Sequence, residues 1–89
     1  MPSLSREFVI VNEKGLHARA ATALVKTALA FGSTTTVHRG ATKASAKSVM
    51  GLLILAAPVG STIRIEIEGE DADLAMERIG ALIQNGFGE

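Results

Sequence analysis

One short stretch places a reactive side chain beside an anion-friendly backbone: Gly15-Leu16-His17-Ala18-Arg19-Ala20-Ala21. His17 is one of two histidines, and imidazole is the side chain whose ordinary titration lies nearest neutrality. Arg19 follows two residues later, and Gly15 permits an irregular turn just before. A helical pattern begins immediately after the histidine. Helix starts carry backbone N–H groups with no intrahelical acceptor, together with the positive end of the dipole. The combination suits an anion, and a phosphate in particular.

The rest of the composition narrows what such a site could serve. The chain has 89 residues, enough for one core and not two. Its apolar fraction of 47% is that of a globular protein. With three Phe and no Trp or Tyr, the core must be aliphatic and rich in alanine. A formal net charge of zero argues against a general nucleic-acid binder. The absence of cysteine excludes disulfides, zinc–thiolate sites and iron–sulfur clusters. Residues 1–7 are polar, unlike a secretory leader, and the longest apolar run, 49–59, is broken by Gly51 and Pro58. A soluble cytoplasmic protein is the expectation.

Several elements must hold the histidine stretch. Residues 6–11 read as a strand, apolar enough in Phe8-Val9-Ile10-Val11 to be well buried. A helix is predicted over 18–31, with Ala21, Leu24, Val25 and Ala28 as its buried stripe and Gly32 as its C-terminal cap. Residues 33–38 have strand composition, and 42–45 pair back as a short, weak strand after Arg39-Gly40-Ala41. A second helix spans 47–55, with Ser48 as its N-cap and Val49, Leu52, Leu53 and Ala56 on one face. Gly51 weakens that helix by roughly 1 kcal/mol relative to Ala. Residues 62–68 alternate cleanly, Ile63, Ile65 and Ile67 against Thr62, Arg64, Glu66 and Glu68. One sheet face is therefore packed and the other wet. Asp71 or Asp73 caps a last helix with the stripe Ala72, Ala75, Ile79, Leu82 and Ile83, ended by Asn85-Gly86. The order is β-α-β-β-α-β-α in two layers, with the helices on the isoleucine face. This pattern does not choose between strand orders, and a ferredoxin-like arrangement stays open.

With this order in place, Gly15-Leu16-His17-Ala18-Arg19 resembles the active-site motif of the HPr phosphocarriers of the bacterial phosphotransferase system. Lys47-Ser48-Val49-Met50-Gly51-Leu52-Leu53 resembles the same family's regulatory-serine segment, at matching distance from His17 and in a chain of matching length. The resemblance implies one HPr-like phosphocarrier domain over 1–89. Its fold would be α+β, an open-faced β-sandwich with a four-stranded antiparallel sheet of order 1-4-2-3 covered by three helices. Such a protein is a carrier and not an enzyme in its own right. It would accept a phosphoryl group on His17, through Nδ1, from phosphorylated Enzyme I charged by phosphoenolpyruvate, and pass it to enzyme IIA domains. An HPr kinase/phosphorylase acting on Ser48 is a further implied partner. No cofactor, metal, nucleic acid or membrane insertion is implied, and the expected state is a monomer.

The residues support these roles individually. The helix start and Arg19 both disfavour imidazolium at His17 and keep a lone pair ready to attack. After transfer, the Ala18 and Arg19 N–H groups and the Arg19 guanidinium face a dianionic phosphate. Sequence context alone leaves a plain helix-capping histidine open; the second motif in register favours the carrier. Ser48 fits both an N-cap and a phosphorylation site, since phosphate is welcome at a helix N-terminus. For partner docking we expect Leu16, Ala20, Lys26, Lys47, Val49, Met50 and Leu53, with Leu52 in the core; methionine suits a surface that meets several partners. Where the family usually has proline, this chain has Ala20, which can adopt the same backbone without the preset φ. His38 and Ser45 match no motif. Two rival functions are a carrier of the nitrogen-regulatory branch, which Asn85-Gly86-Phe87 resembles, and a ferredoxin-like module for a small ligand, metal or RNA.

Overall fold

The computed structural model describes residues 3–89. Its elements follow the order β1 (Ser3–Val9), α1 (Ala18–Leu29), β2 (Thr34–Arg39), β3 (Thr42–Ser45), α2 (Val49–Leu55), β4 (Thr62–Glu68) and α3 (Ala72–Gln84). A single 3-10 turn, Gly86–Gly88, comes last. The strands form one antiparallel sheet of order β1-β4-β2-β3. That order decides what the alternation could not.

Register explains the packing. Phe8 pairs with Ile63, Ile65 with both Arg6 and Val37, and Ile67 with both Leu4 and Thr35. Residues opposite one another share a face, so this set points toward the helices. Val37, Ile63, Ile65 and Ile67 are buried against Leu24, Leu52, Ile79 and Ile83. Alternation on β4 holds as expected, with a wet face carrying Arg64, Glu66 and Glu68.

β1 departs from expectation. It starts earlier and is not buried throughout: Phe8 and Ile10 are in the core, whereas Val9 is 51% exposed. The reason is topological. β1 is an edge strand with helices over one face only, so every second residue meets solvent whatever its polarity.

The helix ends also differ. α1 stops at Leu29, and its cap is Ala30 in right-handed geometry, not Gly32. Gly32 N–H instead donates to Asp71 Oδ2 at 2.9 Å, and Ser33 N–H to Asp71 Oδ1 at 3.0 Å. Asp71 stands at the N-cap position of α3 but makes no cap bond with its side chain there. Its carboxylate ties the α1–β2 turn to the β4–α3 turn. The nearby Ser33 hydroxyl and these N–H groups outweigh burial and hold the Asp71 carboxyl below its ordinary range.

Lys47 Nζ reaches Phe31 O just past the end of α1, while Leu16 N–H, just before its start, bonds Ala57 O beyond the end of α2. α1 and α2 therefore run antiparallel, and the His17 end of α1 lies beside the C-terminal end of α2.

Candidate functional site

The turn after β1 delivers the histidine. Gly15 N–H donates to Asn12 O at 3.0 Å, and Asn12 Nδ2 returns a bond to Gly15 O at 2.7 Å. Gly15 has φ +65, and a Cβ there would stand 2.4 Å from Ala57 O. Only glycine fits this turn against α2. Leu16 N–H then bonds Ala57 O at 2.8 Å, which presses the loop onto the end of α2.

His17 is the N-cap of α1, extended at φ −83 and ψ −177. Its carbonyl accepts the first helical bond, from Ala21 N–H at 2.8 Å. The Ala18, Arg19 and Ala20 N–H groups precede that bond and belong to the free end of the helix. Alanine in place of proline at residue 20 has not prevented the helix from starting at Ala18. Nδ1 of His17 accepts from Arg19 N–H at 3.4 Å, a long contact. Nε2, on the other side of the ring, meets Glu89 Oε2.

That last contact corrects the expectation of a purely positive surrounding for His17. The carboxylate of Glu89, 72 positions on, stands against Nε2 as well. Burial pushes the Glu89 carboxyl up. Hydrogen bonds from Asn12 and His17, with the charges of His17 and Lys14, outweigh that and hold it below its usual range. His17, Arg19, Glu89, Asn12, Lys14, Glu13 and Val11 line an open cleft of about 450 Å³. Among the described residues the Arg19 guanidinium has no hydrogen-bond partner, so it is available to an anion.

Ser48 occupies the other helix start. Its Oγ accepts from Gly51 N–H at 3.0 Å, closing the N-cap of α2. At Gly51 an added Cβ would come within 3.1 Å of Ala44 Cβ and 3.2 Å of Ser48 Oγ, close enough that these side chains would have to shift by a few tenths of an ångström. α2 has seven residues, so Ser48 stands about 10 Å of helix from the His17 loop.

The expected docking residues divide. Leu16 is 4% exposed and Ala20 0%; both lie in the core cluster and offer a partner no surface, because the turn folds Leu16 inward and α1 turns Ala20 onto the core. Met50 is 71% exposed, Leu53 sits at the surface, and Val49 is half-buried. Leu52 is buried. Ile54, which sequence reasoning passed over, is 71% exposed one helical turn after Met50 and extends the apolar strip. Lys26 shares an exposed face of α1 with Arg19, Thr22 and Ala23; Lys47 is exposed at the opposite end of α2 from His17. His38 lies apart, its Nε2 2.9 Å from Glu66 Oε1 on the open sheet face. Ser45 Oγ accepts from Lys47 N–H. Among the described residues no group of three His, Asp or Glu is placed to hold a metal ion, and no helix is long and apolar enough to cross a membrane.

A family model described as "PTS HPr component phosphorylation site" matches residues 4–85. The chain belongs to the HPr family of phosphocarriers. It is 43% identical to phosphocarrier protein HPr of Xylella fastidiosa, over 97% of each chain. It is 46% identical to phosphocarrier protein NPr of Shewanella violacea, over all of this chain and 98% of that one. The structure of an HPr from Thermoanaerobacter tengcongensis superposes with a TM-score of 0.89 at 36% identity, covering 100% of this chain and 98% of that chain. The fold is thus the HPr fold. An HPr-family protein carries phosphoryl groups and is not a catalytic enzyme, and the family implies work with Enzyme I and IIA proteins.

Proposed function

We propose that His17 is the phosphoryl acceptor of this carrier, through Nδ1. The single observation that carries the reading is the placement of an imidazole at the open N-terminus of α1, with Nδ1 facing the first-turn N–H groups. The Nδ1 lone pair attacks phosphorus, the bond to the donor breaks, and Nε2 keeps its proton. The phosphoryl oxygens then lie within reach of the Ala18 and Arg19 N–H groups and the Arg19 guanidinium, which offset the dianionic charge. Positioning and charge neutralisation are what phosphoryl transfer mainly needs. The donor in this reading is phosphorylated Enzyme I, itself charged by phosphoenolpyruvate, and the acceptors are enzyme IIA proteins of sugar uptake. Met50, Leu53, Ile54 and the edge of Val49 form the docking strip, with Lys26 and Lys47 attracting acidic partners. Ser48 is the site of regulation by an HPr kinase. The protein works as a cytoplasmic monomer.

A second reading within the family is the nitrogen-regulatory branch, favoured by the 46% identity to a protein named NPr. Incubation with phosphoenolpyruvate and Enzyme I, followed by intact mass, tests the carrier reading. One acid-labile phosphate is expected on the wild type and none on His17→Ala; a wild type left unmodified by a competent Enzyme I overturns it. Running the assay with Enzyme I and IIA proteins of each branch separates the two, since the cognate pair should charge and discharge the carrier faster.

A further inference from the structure

Residues 86–89 are built into the site. Phe87 is buried in the core cluster at φ 59, and Gly86 packs on Asn12. Gly88 N–H bonds Asn85 O and Glu89 N–H bonds Gly86 O, each at 3.2 Å. This turn carries Glu89 back to the start of α1. Asn12, itself buried, gives its Nδ2 to both Gly15 O at 2.7 Å and Glu89 Oε1 at 3.1 Å. Its Oδ1 is buried with no hydrogen-bond partner among the described residues. Flipping the amide would set that oxygen against two acceptors, so the orientation is fixed by Gly15 and Glu89 together. An unpaired buried acceptor is costly, and this one remains because both donors are committed to the loop and the tail.

The other Glu89 oxygen meets Nε2 of His17. An ionised carboxylate only accepts, so Nε2 must carry the proton; Arg19 N–H only donates, so Nδ1 must carry the lone pair. Both contacts specify the same tautomer, the one in which Nδ1 can attack.

Building on the carrier reading, we propose that Glu89 is a positioning residue for phosphoryl transfer. Its carboxylate, clasped by Asn12 and anchored by Phe87, fixes His17 with Nδ1 unprotonated and balances the positive charge the ring acquires as the Nδ1–phosphorus bond forms. The proton stays on Nε2 throughout, and only the donor–phosphorus bond breaks. When the phosphoryl group leaves for the next acceptor, the ring charge disappears and the same contact holds the ring for the next cycle. Carboxylates paired with histidine play this orienting part in metal sites and in hydrolytic triads.

The test uses the full chain with its histidines labelled with nitrogen-15. At alkaline pH the wild type should show a protected proton on Nε2 of His17, downfield of an ordinary imidazole N–H. Glu89→Gln keeps the shape and an acceptor but removes the charge. That resonance should move upfield, and phosphoryl uptake per folded molecule from phosphorylated Enzyme I should slow about tenfold, while the melting temperature drops by no more than a few degrees. Glu89→Ala should lose the resonance altogether. A purely structural tail would move the melting temperature and leave uptake per folded molecule unchanged. The proposal is overturned if the wild type takes up phosphate and Glu89→Gln does so equally fast, or if no protected Nε2 proton exists. A wild type that accepts no phosphate instead overturns the carrier reading and takes this proposal with it.

Discussion

Two helix starts in this molecule solve the same problem differently. At α2, Ser48 Oγ closes on Gly51 N–H at 3.0 Å, three residues ahead, in a compact side-chain cap. At α1, the His17 ring reaches only Arg19 N–H, two residues ahead and at 3.4 Å. The ring is held from behind by Glu89, and the helix end stays open toward the cleft. A tight cap satisfies the N–H groups and stabilises the fold. A loose one leaves them for a ligand. The first start is built for stability, and a phosphate added to Ser48 would offer its own oxygens to the same first-turn N–H groups. The second has the weaker cap, and in the proposed carrier reading its donors serve an anion that comes and goes.

Substitutions can break that contrast, beginning with the largest effect. His17→Ala should abolish phosphoryl uptake, with thermal unfolding close to the wild type, because the cap it removes is weak. Intact mass after incubation with phosphoenolpyruvate and Enzyme I reads the first, calorimetry the second. Arg19→Ala removes one charge-assisted contact to the phosphate, worth roughly 1.5–3 kcal/mol, so transfer should slow about tenfold to a hundredfold. Its exposed side chain makes stability indifferent, which denaturant titration checks. Ser48→Ala should show the reverse profile. Losing a tight N-cap costs about 1 kcal/mol of stability, while the initial rate of uptake at His17 stays near wild type. A Ser48→Ala protein that is fully stable but slow would erase the distinction between the two starts.

A smaller effect is expected from acid. The carboxyls of Asp71, Glu66 and Glu89 are all held below their ordinary values. For Glu66 the hydrogen bond from His38 leads, burial opposes it, and Arg64, His38 and Lys43 add to the lowering. A lowered folded-state value means that stability is present above the ordinary carboxylate range and is lost as pH falls through the lowered values. Thermal midpoints should therefore be flat near neutrality and fall on acidification. In Asp71→Asn the neutral midpoint should drop by a few degrees and the acid decline should become shallower; an unchanged acid decline would remove Asp71 from the account.

Much of this was legible in the sequence, and the exceptions have physical causes. The isoleucine alternation of β4 and the Ser48 cap are local signals, set by period and by residue type. Sequence alone makes β1 buried, because Val9 and Val11 are as apolar as Phe8 and Ile10; its half-wet character depends on being an edge strand with one covered face. Asp71 looked like a cap and instead bridges two turns nearly forty positions apart, a long-range choice that no window of sequence contains. Leu16 and Ala20 neighbour His17 in sequence yet face inward, because the turn at Gly15 and the first turn of α1 swing them onto the core. At the site, His17 and Arg19 were legible as a pair. Asn12 and Glu89 were not, since the contact between Glu89 and His17 spans 72 positions and exists only once Phe87 is packed. Ile54 could have been found from its spacing of four from Met50.

The central claim is that phosphate is carried on Nδ1 of His17, at the open start of α1. Nitrogen-15 and phosphorus-31 spectra of the protein phosphorylated by Enzyme I, with labelled histidine, test it directly. The account predicts one phosphorus signal coupled to Nδ1 of His17, with the proton retained on Nε2. A phosphate found on Nε2, on His38 or on Ser48 after this reaction would contradict it.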